Sequence, residues 1–156
     1  MKKGTIRMPN VENLDTSSSQ TELMAAYAAT DFAADTTVGT VVLKVGVENA
    51  KLHECYEAFD RQCAAFITGW NPGSRMQASD WNDQAHAKLI ARINAGGYRF
   101  FEGEGRDPNG VWTPERSLLI FGIERHVAEE IGREFGQAAI VVVGQDGVPI
   151  LVWLGN

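Results

Sequence analysis

Cys63-Ala64-Ala65-Phe66-Ile67-Thr68-Gly69-Trp70-Asn71-Pro72-Gly73-Ser74 decides the reading of this chain. Its first half is a short run of small and apolar residues, the pattern of a strand buried on both faces. Its second half is built from residues that turns use. A strong helical pattern follows, with Trp81, Ala85, Leu89 and Ile93 spaced four apart. Ser79 is placed to cap its start, Asp80 and Asp83 fall where the helix dipole favours acids, and Gly96-Gly97 ends it. In open α/β sheets a strand that runs through a polar turn into a helix is where ligands bind, because the helix start offers free N–H groups. The stretch predicts a piece of the fold and a place for a site together.

Working outward, residues 31–34 and the β-branched run 40–45, punctuated by Gly39 and Gly46, read as strands. Asn49 is placed to cap a helix to about residue 59, whose Leu52, Cys55, Tyr56 and Phe59 form an i, i+3, i+4, i+7 stripe. Beyond the central helix, residues 98–101 predict a short strand, 102–113 a loop holding Gly103, Gly105 and Asn109-Gly110, and 117–123 a strand. A helix over 125–135 stops at Gly136, and residues 138–143 and 150–153 pair around Gln145-Asp146-Gly147, with Pro149 placing the last strand at a sheet edge. Residues 21–29 predict one more short helix, and the polar residues 1–20 a flexible arm. This order predicts an α/β fold, with α+β as the alternative. It is a single domain over residues 21–156 in which a mixed sheet, its parallel pairs made by crossovers, is flanked by three to four helices.

At 156 residues the chain is long enough for one sizeable core. With 14 basic against 20 acidic residues the formal charge is −6, and such a field repels phosphate backbones, which argues against nucleic acid as a partner. No apolar run reaches the length of a bilayer and no signal-like segment opens the chain, so a cytoplasmic protein without a membrane partner is expected. Cys55 on an apolar helix face and Cys63 at a strand start read as free thiols, and neither has a second ligand at metal-binding spacing, so no metal is expected.

No phosphate-binding loop, zinc-protease motif, nucleophile elbow or CxxC pair is present. Gly103-Glu104-Gly105 does not complete a dinucleotide fingerprint, because another turn follows instead of a helix. The cofactor is therefore unknown. Asn71, Gly73 and Ser74 combine an amide, a backbone free of Cβ and a hydroxyl, enough to hold a polar ligand or simply to turn the chain. Asn82 and His86, four apart, share one helix face. Strand alternation puts Glu115 and Ser117 on one side and Arg116 on the other. Glu115 and His86 are the candidate acid–base groups, and Gln137 after the helix-stopping Gly136 is free to bond ligand or loop. Trp70, Trp81, Trp112 and Trp153 read as core residues.

Three separated motifs carry a resemblance. They are Phe66-Ile67-Thr68-Gly69-Trp70-Asn71-Pro72-Gly73-Ser74 followed by Asn82, then Trp112-Thr113-Pro114-Glu115-Arg116-Ser117, and finally Phe135-Gly136-Gln137-Ala138-Ala139-Ile140. In this order the chain resembles a bacterial family known as domain of unknown function 3293, over roughly residues 27–153, with Gly69 where the family has Ala. The resemblance implies no activity, but it implies that Asn71, Ser74, Asn82, Glu115 and Gln137 form one polar cluster.

Two functions follow as expectations. One is a domain that binds a polar or nucleotide-like small molecule, as an enzyme or not, with the Asn71–Ser74 turn and the helix start at Ser79 forming one wall. The other is a protein-interaction module that uses the arm or the edge of the closing hairpin to engage a protein partner.

Overall fold

The computed structural model describes residues 16–155. The chain runs α1 (Thr16–Ala28), β1 (Asp31–Thr36), β2 (Gly39–Leu43), α2 (Ala50–Phe59), β3 (Ala64–Ile67), a 3-10 turn (Pro72–Ser74), α3 (Ser79–Ala95), β4 (Arg99–Arg106), β5 (Glu115–Phe121), α4 (Arg125–Glu134), β6 (Ala139–Val143) and β7 (Pro149–Trp153). Among the described residues a single sheet and four helices form, in line with the one sheet and three to four helices that the sequence predicts. The arm expected over residues 1–20 lies mostly outside the described residues, and its end is helical, because α1 starts at Thr16. Leu23 anchors this helix, fully buried against Trp112 and Ala138. Packing of this kind overrides the modest helix propensity of Ser and Thr.

The sheet has seven strands in the order β2-β1-β4-β5-β3-β6-β7. Every pair is antiparallel, which corrects the expectation of parallel pairs in a mixed sheet. The crossovers themselves are real. β3 and β4, joined by α3, run parallel but with β5 between them, and β5 and β6, joined by α4, run parallel with β3 between them. These are two interlocked split β-α-β units, with a hairpin added at one side and β7 at the other. Sequence order places a helix between two strands; it cannot say that a third strand will enter the gap.

Alternation along the central strands separates two cores. Ala64, Phe66, Leu119, Phe121, Val141 and Val143 pack against Leu52, Cys55 and Tyr56 of α2. Ala65, Ile67, Leu118, Ile120, Ile140 and Val142 pack beneath Leu89 and Ile93 of α3 and Ala128 and Ile131 of α4. Both faces of β3 are therefore dry, which is why its sequence is an unbroken apolar run. Each fully buried Leu or Ile here contributes about 2 kcal/mol. At the sheet's two ends, Gly46 N donates to Pro149 O at 2.8 Å and Asn49 N to Gly147 O at 3.0 Å, so the loop after β2 meets the start of β7 and the sheet curls around its α2 side. Asn49 does cap α2, accepting from Leu52 N at 2.8 Å, and its amide also donates to Val42 O at 2.8 Å.

β4 departs most from its expected form. Residues predicted as a loop continue the strand to Arg106, paired with β5 (Gly103 opposite Ser117, Gly105 opposite Glu115) and with β1 (Ala34 opposite Gly103). A Cβ on Gly103 would lie 2.3 Å from Ala33 O, so this glycine serves close backbone approach and not flexibility. Ser79 is the first residue of α3 and not its cap; Ala78 takes the cap position, extended at φ −64 and ψ 150, and accepts the first helical bond from Asn82 N at 3.0 Å. Among the described residues no helix is long and apolar enough to cross a membrane.

Candidate functional site

β3 ends at Ile67, and the chain then turns sharply. Asn71 takes the left-handed conformation at φ 47 and ψ 59, followed by Gly73 at φ 67 and Ser74 at φ 64. Three left-handed residues within four cost conformational energy at the two that carry a Cβ, Asn tolerating the region better than Ser. The surrounding bonds hold them there. Asn71 Oδ1 accepts from Gln77 N at 2.8 Å and from Asn82 Nδ2 at 3.0 Å, while Asn71 N donates to Asn82 Oδ1 at 3.0 Å. Asn71 Nδ2 donates to Glu115 Oε2 at 2.9 Å. The turn is also tied to the end of α4, where Gly73 N donates to Gly136 O at 2.8 Å and Gln137 Nε2 donates to Trp70 O at 3.0 Å.

The sequence-predicted site residues thus meet. Asn71, Asn82 and Glu115 are directly bonded, Gly73 and Gln137 dock the same turn on the segment after α4, and Ser74 is buried within the turn. Ser117 sits one strand step beyond, its hydroxyl donating to Glu115 O at 2.9 Å. His86 does not join them. Its ring, 1% exposed, reaches Glu102 Oε1 at 2.7 Å, and Arg116 reaches the same oxygen at 3.3 Å on the face of β5 opposite Glu115. Asn82 and His86 share a helix side yet serve different partners.

Three of the hollows among the described residues lie around this cluster. Beneath α1, Thr68, Trp112, Glu115, Ser117 and Gln137 line a cavity of about 30 Å³, room for water and for nothing the size of a metabolite. On the uncovered face of β1 and β4 lies an open groove of about 530 Å³, lined by Asp35, Glu102, Glu104, Arg106 and Arg116. Its charged groups already have partners: Glu102 is held by His86 and Arg116, Glu104 by Arg106 at 3.3 Å, and Asp35 accepts from the Thr40 hydroxyl at 2.7 Å. The third is a cleft of about 500 Å³ between α3 and α4, directly outside the Asn71 turn.

Gly69 and Pro72 from the turn, Trp81, Gln84, Ala85 and Lys88 from α3, and Glu134, Phe135 and Gly136 from the end of α4 line this cleft. The two glycines allow the walls to meet the floor. A Cβ on Gly69 would press within 3.2 Å of the Phe135 ring, and one on Gly136, at φ 68, would lie 2.9 Å from Pro72 Cβ. None of the predicted ligand-binding residues lines the cleft; they stand behind its wall. The residue sequence reasoning missed is Trp81. It fits the core-facing stripe of α3 by spacing, but is 45% exposed in the cleft. Its place in the first turn of the helix, close to the polar turn, was the available signal. Among the described residues no three His, Cys, Asp or Glu side chains gather as metal ligands.

The motif resemblance holds in the middle of the chain. Residues 67–140 match the family described as Protein of unknown function (DUF3293), a shorter stretch than the motifs suggested and one whose description states no activity. It contains the turn, α3, Glu115 and Gln137, the parts that build the cleft and its support. No curated protein and no solved structure matches the chain.

Proposed function

We propose that this chain is a small-molecule-binding domain whose ligand occupies the cleft between α3 and α4, with Asn71, Asn82 and Glu115 holding its wall. The single observation that carries this reading is the joint origin of that wall. The turn and the first three helical turns of α3 line it together, and the buried bonds of Asn71 lock the one to the other. The cleft's size falls within the 300–1,000 Å³ range usual for ligand sites, and its lining mixes apolar surface with a few polar groups, as such sites do. A preorganised wall lowers the ordering cost of binding. Glu115 and His86, the acid–base candidates of the sequence, lie outside the cleft lining, which favours binding over catalysis there.

Thermal-shift measurement of the purified chain against fractionated metabolite extract tests this. At least one fraction is expected to raise the midpoint of the parent protein and to leave Trp81→Ser unmoved. A fraction that stabilises both proteins equally would place the ligand elsewhere.

A further inference from the structure

Charge within the cleft narrows what it takes. Among the described residues two charged groups line it, Lys88 and Glu134. Glu134 is already answered from outside, accepting from Arg92 Nε at 3.0 Å. Among the described residues Lys88 has neither an ion pair nor a hydrogen bond, so the cleft presents one uncompensated cation. Apart from the neutral amide of Gln84, the rest of its surface is aromatic or apolar, from the exposed Trp81 to Phe135, Pro72 and the two glycine backbones. Trp81, Ala85 and Lys88 follow one stripe of α3 at i, i+4 and i+7, so the indole and the ammonium root lie about 10 Å apart along the axis, before the lysine stem leans back toward the helix start.

Resting on the ligand-binding reading above, we propose that the ligand is a planar aromatic carboxylate, its ring against Trp81 and its carboxylate on Lys88. A flat ring matches an exposed indole through stacking, and a carboxylate gives Lys88 the charge-assisted bond it lacks. A single negative charge suits the site better than two, because Glu134 lines the same cleft and repels any anion there.

The test is an NMR titration of the isotope-labelled chain with 2-naphthoate, its neutral isostere 2-naphthamide, the cation 2-naphthylmethylammonium and phenyl phosphate. Trp81 indole N–H and the Gly69 and Gly136 amides report on the cleft. 2-Naphthoate is expected to move all three, the amide to bind more weakly and the cation not at all. Lys88→Gln, at an exposed position, should lower naphthoate affinity about tenfold and leave naphthamide affinity unchanged. If the amide or the cation binds the cleft as tightly as naphthoate, or Lys88→Gln leaves naphthoate unaffected, the ligand class is wrong while the cleft remains a binding site. Tighter binding of phenyl phosphate overturns the carboxylate in favour of a phosphate. If no probe moves these resonances the proposal also fails, and the metabolite-fraction experiment then decides separately whether the cleft binds anything.

Discussion

Asn71 and Asn82 hold each other in both directions: Asn82 Nδ2 donates to Asn71 Oδ1 at 3.0 Å, and Asn71 N donates to Asn82 Oδ1 at 3.0 Å. Both residues are buried, so neither amide can trade its partner for bulk water. The pair pins a left-handed turn to the second turn of α3, and Glu115 extends the contact to β5.

Removing the Asn71 side chain should therefore destabilise the fold. Asn71→Ala removes one bond each from Gln77 N, Asn82 and Glu115, at about 1–3 kcal/mol for each group not rescued by another partner or by water, and replaces an Asn with a residue that tolerates the left-handed region less well. Asn71→Gly removes the same bonds but adopts the left-handed region with no Cβ penalty. Chemical denaturation should rank the parent above Asn71→Gly and Asn71→Gly above Asn71→Ala. Equal stability of parent and Asn71→Ala would mean that these bonds do not support the turn.

The two glycines of β4 should respond differently to one added methyl group. At Gly103 the new Cβ meets Ala33 O at 2.3 Å, whereas at Gly105 its nearest neighbours stand at 3.7 Å, ordinary contact distance. Gly103→Ala is expected to lower stability by about 1–3 kcal/mol through forced separation of β1 and β4, and Gly105→Ala to stay within about 0.5 kcal/mol of the parent. A tolerated Gly103→Ala in thermal unfolding would contradict the close pairing of these strands.

Acid should weaken α4 in a defined window. The hydrogen bond from Arg125 at 2.8 Å, helped by the charges of Arg125 and Arg133, holds Glu129 below the usual carboxylate range. Because the folded value is depressed, the stabilisation is complete above the unfolded pKa of roughly 4.3 and is lost as pH falls through the folded value. The pair is near the surface, so its contribution is small, about 0.3–0.5 kcal/mol at neutral pH. Glu129→Gln should melt slightly below the parent at pH 7, with the gap closing at acid pH. A gap that widens on acidification would reverse the assigned sign.

Thiol chemistry offers a probe of opening. Burial raises the pKa of both Cys55 and Cys63, and Cys55 is fully enclosed between α2 and the sheet. At pH 8 both remain largely protonated in the folded chain, and the thiolate is the reactive form. Mass-resolved labelling should modify Cys55 only at the rate of unfolding. Labelling at the rate of a free thiol under native conditions would show that α2 lifts from the sheet.

Much of this molecule was legible because local patterns agree with the fold. The stripe of Leu52, Cys55 and Tyr56, the cap at Asn49, the stop at Gly136 and the edge placement of Pro149 each express a short-range rule of helix or strand, and the structure uses them as written. β4 was misread because Gly103 and Gly105 carry the same letters as a flexible loop; only the approach of Ala33 gives Gly103 its reason. The convergence of Asn71, Asn82 and Glu115 was implied by the family resemblance, which does not say which atoms meet.

By itself the sequence determined the helices, the buried central strand, the polar turn after it and the separation of Glu115 from Arg116 across the sheet. These depend on the period of each element and on the conformations that Gly, Pro and Asn allow. Tertiary structure alone decided that the sheet is antiparallel throughout, that Trp81 faces a cleft instead of the core, and that Lys88 stands there without a partner among the described residues. Strand intercalation and cleft formation arise from contacts between residues far apart in the chain, where the local sequence carries no record of its neighbour.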